Sequence, residues 1–217
     1  MDLFSSQQAD KLIILPDAYL LKGLALPEQT ELLAGLQDVI SLSPFRHMVT
    51  PGGFTMSVAM SNCGSLGWVT DRSGYRYTAY DPLNDAPWPA MPEAFLALAQ
   101  NAATKSGYPD FQPDACLINR YNIDARMTLH QDKNEVDFTQ PIVSVSLGLN
   151  AVFQLGGFQR TDKTIKLPLA HGDVVVWGGS SRMRFHGILP LKAGLSPPNI
   201  TPALSNCRIN LTFRKAG

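Results

Sequence analysis

Apolar residues recur at helical spacing in two places, both early in the chain. Leu32, Leu33, Leu36, Val39 and Ile40 share one face of a predicted helix that Pro27 opens and Ser43-Pro44 ends. Phe95, Leu96, Leu98, Ala99, Ala102 and Ala103 mark a second helix, opened by Pro92 and stopped at Gly107. Beyond Gly107 the period falls to two. Short runs bounded by turn residues predict strands at 115–121, 127–131, 142–149, 151–155, 164–169, 173–177 and 207–214. Many short strands at this spacing predict a β-sandwich or barrel with helices packed outside it, in one α+β domain. The stretch 195–202 reads as a loop, because Pro197, Pro198 and Pro202 cannot serve a central strand. There is no internal repeat and no low-complexity tract.

Composition refines this picture only slightly. The 217 residues are 45% apolar and 17% charged, which suits a packed core and is too apolar for disorder. Lys plus Arg and Asp plus Glu are 18 each, so a globally basic nucleic-acid binder is excluded while a local basic groove is not. Cys63, Cys116 and Cys207 are far apart and form no Cys-x-x-Cys pair, which points to reduced buried thiols rather than a disulfide scaffold or zinc ribbon. The first residues lack the basic start and apolar run of a signal peptide. The uncharged stretch 139–159 alternates like a strand and is interrupted by Ser144, Ser146, Asn150 and Gln154. The expectation is a monomeric cytoplasmic protein with no membrane partner.

Candidate chemistry starts with the histidines. Two of the four open a His-x-Asp triplet, a pattern that is weak alone. In His171-Gly172-Asp173 the glycine marks a tight turn and the aspartate suits turn backbone, so the reading there is structural. His130-Gln131-Asp132 instead ends a predicted strand, where period two places both side chains on one face. An imidazole and a carboxylate so placed are two thirds of an Fe(II)-binding facial triad, and His186, far enough downstream to return on another strand, is the candidate for the third. His47 has no carboxylate neighbour and is left out. In the last strand Arg208, Asn210, Thr212 and Arg214 share one face. A solvated surface is the ordinary explanation for such a stripe. Two arginines also suit a dicarboxylate: about 20 Å of strand is bridged by two roughly 6–7 Å arms and a five-carbon diacid of about 6 Å. Asn119 and Tyr121 share a face by the same alternation and can add hydrogen bonds to that ligand.

Asn119-Arg120-Tyr121, His130-Gln131-Asp132, Trp177-Gly178-Gly179, His186-Gly187 and the run from Cys207 to Arg214 follow one another in order and spacing. In these motifs the chain resembles the bacterial AlkB family of Fe(II)- and 2-oxoglutarate-dependent DNA/RNA dealkylases. Further matching stretches, 43–62 and 90–132, extend the resemblance over most of 43–216, while the first forty residues match poorly. The resemblance implies a double-stranded β-helix (jelly-roll) core over 91–217, an N-terminal extension and helix over 1–43, and a nucleotide-recognition lid over 44–90. It implies His130, Asp132 and His186 as iron ligands. Arg208 would hold the distal carboxylate of 2-oxoglutarate with Asn119 and Tyr121, and Asn210 and Arg214 would complete the pocket near its chelating end. The implied reaction consumes 2-oxoglutarate and O2 and removes N-methyl groups from 1-methyladenine- and 3-methylcytosine-type lesions in single- or double-stranded DNA and in RNA, releasing formaldehyde.

A damaged base must leave the stack to reach buried iron. The segment 67–77 offers aromatic and basic groups in a polar, loop-like context. Trp68, Tyr75 and Tyr77 are the expected base contacts, and Arg76, Arg160 and Lys133 the groups for phosphates or base edges. Thr50, Met56 and Ser57, from the other matched lid strand, are further candidates. Two positions depart from the family pattern: Asn134 stands where an Asp reading the exocyclic amine is expected, and Phe54 where a Tyr is expected. Two other readings compete with this one: a 2-oxoglutarate oxygenase acting on a methylated protein side chain, and a non-catalytic jelly-roll module that binds nucleic acid around a structural metal.

Overall fold

Period-two alternation builds the core from two antiparallel sheets laid face to face. The computed structural model describes residues 11–194, 197, 200 and 204–217, so the expectations for the first ten residues and for most of the 195–202 loop lie outside the described residues. The strands are β1 (Lys11–Leu15), β2 (Ala18–Leu21), β3 (Arg46–Val49), β4 (Thr55–Gly64), β5 (Gly67–Asp71), β6 (Gly74–Thr78), β7 (Tyr80–Asp81) and β8 (Ala86–Pro87), followed by β9 (Ala115–Tyr121), β10 (Met127–His130), β11 (Ile142–Gly148), β12 (Ala151–Leu155), β13 (Ile165–Leu169), β14 (Val174–Trp177), β15 (His186–Ile188) and β16 (Arg208–Arg214). The larger sheet runs β1-β2-β14-β11-β16-β9-β4-β3 and the smaller β10-β15-β12-β13, while β5-β6 and β7-β8 form separate two-stranded ribbons. This is the double-stranded β-helix the resemblance implied.

Alternation decides what each face of the larger sheet meets. Val143, Val145 and Leu147 of β11 and Ile209, Leu211 and Phe213 of β16 pack on the outer face, beneath α1 (Gln29–Leu42) and α2 (Glu93–Lys105). The helices present Leu32, Leu36 and Val39, and Phe95, Leu98, Ala99 and Ala102. The intervening residues of the same strands point between the sheets, where Leu20, Met60, Leu117, Ile142, Phe153, Leu155, Val175 and Trp177 form a second apolar cluster. Every residue of β16 is buried, so its polar stripe is not a solvated surface. The stripe faces the space between the sheets. The three cysteines are buried thiols, as expected.

Three expectations need correction. Helix α1 begins at Gln29 rather than at Pro27, because the Gln29 N–H donates to Leu26 O in a preceding turn and Glu28 is the N-cap. The N-terminal extension is more than a covering segment, since β1 and β2 lengthen the larger sheet with β2 registered on β14 from Val174↔Leu21 to Trp177↔Ala18. Within the expected lid, β3 and β4 belong to the larger sheet through the β4–β9 pairing, and only β5-β6 and β7-β8 stand apart from it. No helix among the described residues is long and apolar enough to cross a membrane.

Candidate metal and keto-acid site

The β10–β15 pairing places His130 opposite His186 at the end of the smaller sheet. Gly187 permits this closeness, since a Cβ there would lie 2.6 Å from the Met127 carbonyl oxygen. Asp132 follows two residues beyond β10, and one ligand atom from each of the three residues lies within 4.8 Å of the others. His130 Nε2 is 3.6 Å from Asp132 Oδ1, and His186 Nε2 is 3.7 Å from Asp132 Oδ2. Each imidazole uses Nδ1 on the backbone carbonyl two residues earlier, Thr128 O at 2.9 Å and Arg184 O at 3.1 Å. Those carbonyls fix the tautomer with Nδ1 protonated, which turns both Nε2 lone pairs toward the shared point.

The electrostatics agree with this geometry. Burial, reinforced by the neighbouring His130, brings the His186 imidazole down to about 3, so it is neutral and free to bind metal at physiological pH. Burial pushes the Asp132 carboxyl up, but Arg214, then His186 and His130, reverse this and hold it below the usual carboxylate range. Arg214 donates to Asp132 Oδ2 through Nε at 2.9 Å and Nη2 at 2.7 Å, orienting the carboxylate. A structural zinc site closes with a fourth protein ligand, whereas two imidazoles and one carboxylate with an open face suit Fe(II).

Beside the triad lies a cavity lined by Asn119, Tyr121, Ser144, Trp177, Arg208, Asn210, Thr212 and Arg214. Arg208 is only 1% exposed. Its Nη2 donates to Ser146 Oγ at 2.9 Å and its guanidinium lies 5.0 Å over the Tyr121 ring, but Nε and Nη1 have no partner. Asn119 Oδ1 is likewise unpartnered. A buried cation with idle donors is costly unless an anion enters, and these donors line the cavity. Asn210 is anchored by Ser144 Oγ at 2.8 Å and Val145 O at 3.0 Å. The donor set therefore fits a dicarboxylate that chelates the metal.

A wider cavity opens from the triad toward solvent, lined by His130, Asp132, Thr50, Met56, Trp68, Tyr75, Lys133, Asn134 and Arg160. Trp68 and Tyr75, across β5 and β6, stack with centroids 5.7 Å apart and planes 23° apart. Asn62 of β4 holds this ribbon by imitating a strand partner, exchanging two 3.0 Å hydrogen bonds with the Trp68 backbone N–H and carbonyl. Asn134 Oδ1 accepts from Trp68 Nε1 at 3.5 Å. Arg160 donates to Leu129 O and lies 5.2 Å over the Phe185 ring.

Three expected contacts are set apart from this cavity. Arg76 is paired with Asp71 at 2.7 Å, because alternation along β6 puts it on the face opposite Tyr75 and Tyr77. Tyr77, the cross-strand partner of Trp68, points inward and donates to Glu135 Oε1 at 2.6 Å. Ser57 donates to Arg126 O. Phe54 sits 77% exposed at the β3–β4 turn. The His171 triplet is structural as expected: Gly172 has φ +86°, and Asp173 accepts from the Gly23 and Ala170 N–H groups. Sequence reasoning missed Glu135 and Arg182, an ion pair of 3.1 Å with side chains 2% and 3% exposed. Their signal, two charges near the metal motifs with no amphipathic surface to serve, was present but faint.

An open Fe(II) triad beside a pocket for a chelating keto acid, between the sheets of a jelly roll, is the working centre of a non-haem oxygenase. Residues 17–214 match the 2OG-Fe(II) oxygenase superfamily. The chain is 56% identical over 217 residues to the alpha-ketoglutarate-dependent dioxygenase AlkB of Escherichia coli K12, covering all of this chain and 98% of that protein. It is 31% identical over 142 residues to the human nucleic acid dioxygenase ALKBH1, covering 64% of this chain and 36% of that protein. The solved structure of OsALKBH1 superposes with a TM-score of 0.84 at 30% identity, covering 95% of this chain and all of that one. The chain belongs to the 2OG-Fe(II) oxygenase superfamily and, within it, to the AlkB family. It is an enzyme that uses Fe(II), 2-oxoglutarate and O2, with His130, Asp132 and His186 as the iron triad.

Proposed function

We propose that this dioxygenase removes N-alkyl groups from nucleic-acid bases of the 1-methyladenine and 3-methylcytosine type, in DNA and in RNA, as a cytoplasmic monomer. The observation that carries the reading is the wide cavity at the triad, walled by the Trp68–Tyr75 stack and edged by Asn134. A flipped base needs a π-surface and a polar edge reader beside the reacting centre. Bound Fe(II), 2-oxoglutarate and O2 supply hydroxylation of the N-methyl carbon coupled to decarboxylation of the keto acid, and the resulting hydroxymethyl adduct sheds formaldehyde.

The side chains divide the remaining work. Arg208 takes the distal carboxylate with Asn119 and Tyr121, and Asn210 and Arg214 serve the chelating end. Trp68 and Tyr75 hold the base plane, and the Asn134 amide oxygen accepts from its exocyclic amine. Arg160 and Lys133, on the cavity wall, meet phosphates, and Thr50 and Met56 line the same cavity. The β5-β6 ribbon and the β3–β4 turn act as the lid. The nucleic acid dioxygenase name carried by human ALKBH1 supports the substrate class. The test is mass spectrometry of oligonucleotides carrying defined lesions, incubated with Fe(II), 2-oxoglutarate, ascorbate and air. A methyl-sized mass loss matched by succinate and formaldehyde is expected. Keto-acid turnover that no methylated oligonucleotide stimulates would overturn the reading.

A further inference from the structure

We propose that Glu135 is a positioning residue which, together with Tyr77, couples occupancy of the base cavity to occupancy of the keto-acid pocket; the proposal rests on the function given above. Glu135 joins groups from both sites. Its Oε1 accepts from the Tyr77 hydroxyl at 2.6 Å and lies 3.5 Å from Arg214 Nε, while Oε2 accepts from Arg182 Nη2 at 3.1 Å. Arg182 also donates to the backbone carbonyl of Asp132 at 2.9 Å, and Arg214 holds the carboxylate of that same iron ligand. On the other side, Tyr77 is the cross-strand partner of Trp68, whose ring stacks on Tyr75.

Two buried guanidiniums thus face two buried carboxylates, and Arg214 divides its donors between them. A keto-acid carboxylate arriving at Arg214 is a third anion seeking the same donors. Glu135 has the longer contact with Arg214, so it is the partner that yields and relies more on Tyr77 and Arg182. The Tyr77 bond then strengthens and the aromatic ribbon is held more firmly for a base. Burial keeps the Tyr77 phenol protonated, so it remains a donor throughout. Linkage makes the effect reciprocal: a bound base tightens the keto acid by the same factor.

The test is equilibrium binding with the full-length Mn(II)-loaded protein. Anisotropy of a labelled single-stranded oligonucleotide bearing one 3-methylcytosine is measured with and without saturating 2-oxoglutarate. Wild type is expected to bind about fivefold more tightly, or better, when the keto acid is present. Tyr77→Phe, which removes one hydroxyl, and Glu135→Gln are expected to bring that factor within about twofold of unity. A purely structural role would lower the melting temperature and leave the factor intact. A factor of one in wild type, or a wild-type factor in Tyr77→Phe, overturns the coupling. Wild type that binds methylated and unmethylated oligonucleotides equally overturns the proposed function, and the coupling with it.

Discussion

Arg208 shows how one residue can disclose a ligand: a guanidinium 1% exposed, lining the keto-acid pocket, has two donors without a protein partner. A carboxylate there forms charge-assisted bonds that a lysine, as a point charge, cannot reproduce in number or direction. Arg208→Lys is therefore expected to raise KM for 2-oxoglutarate roughly tenfold or more, from about 1.5–3 kcal/mol of lost hydrogen bonding, while leaving the melting temperature nearly unchanged. Steady-state succinate release against keto-acid concentration measures this. Asn134 bears on selectivity, because its amide oxygen accepts a hydrogen bond but lacks the charge that attracts a cationic methylated base. Asn134→Asp is expected to raise repair of 1-methyladenine relative to 3-methylcytosine severalfold when both lesions compete in one reaction. An unchanged ratio would remove Asn134 from base reading. The metal donors were legible in the sequence because His130 and Asp132 lie two residues apart at a strand end. Glu135 was not, since its partners Tyr77, Arg182 and Arg214 come from three distant segments.

Among the elements, the β10–β15 pair sets the metal geometry by placing one histidine opposite the other across a glycine-permitted approach. His171 performs a quieter service at the far turns. Its Nδ1 accepts from the Gly148 N–H at 3.0 Å and its Nε2 contacts Gln29 Oε1 at 2.5 Å, tying the β11 and β13 ends to α1. The Gly148 bond needs a neutral ring, because only an unprotonated Nδ1 accepts, whereas Nε2–H donates to Gln29 in either state; burial lowers the pKa of His171, with Asp173 opposing. A lowered folded value means the Gly148 bond stabilises above the unfolded value near 6.5 and is lost as pH falls below it. The melting temperature is expected to fall between about pH 7.5 and about pH 5.5, and His171→Gln to lessen that slope. Equal slopes in the two proteins would refute it. The strands 115–121 and 151–155 were readable to the residue, because turn residues bound them and apolar positions alternate. β1 and β2 were not, because Lys11–Leu15 carries an unbroken apolar run without alternation.

For the whole molecule, the keto-acid pocket lies where the two sheets face each other, so its ligands brace both. Mn(II) with 2-oxoglutarate, binding the native state alone, is expected to stabilise it by about 2.7 kcal/mol at a hundredfold excess over Kd. For a chain of this length that raises the melting temperature by about 5–10 °C, taking about 2–4 °C per kcal/mol. Arg208→Leu should melt at or above the wild-type temperature without ligands, because it removes an uncompensated buried charge, and should lose most of the ligand-induced rise. Differential scanning calorimetry of the two proteins with and without ligands measures both effects.

What the chain determined alone is what local spacing encodes: two helices, a series of short strands, a His-x-Asp at a strand end and arginines on one face of the last strand. Periodicity assigns residues to a face, and residue type limits the chemistry that face can perform. Spacing alone left open whether the polar face of β16 meets water or a buried ligand, because both produce the same alternation. Tertiary structure decided that by covering the outer face with helices and closing the smaller sheet over the inner one. It also decided that Tyr77 reaches Glu135 while Tyr75 remains at the cavity: period two puts both rings on one face of β6, and only the packing of distant segments separates what they meet.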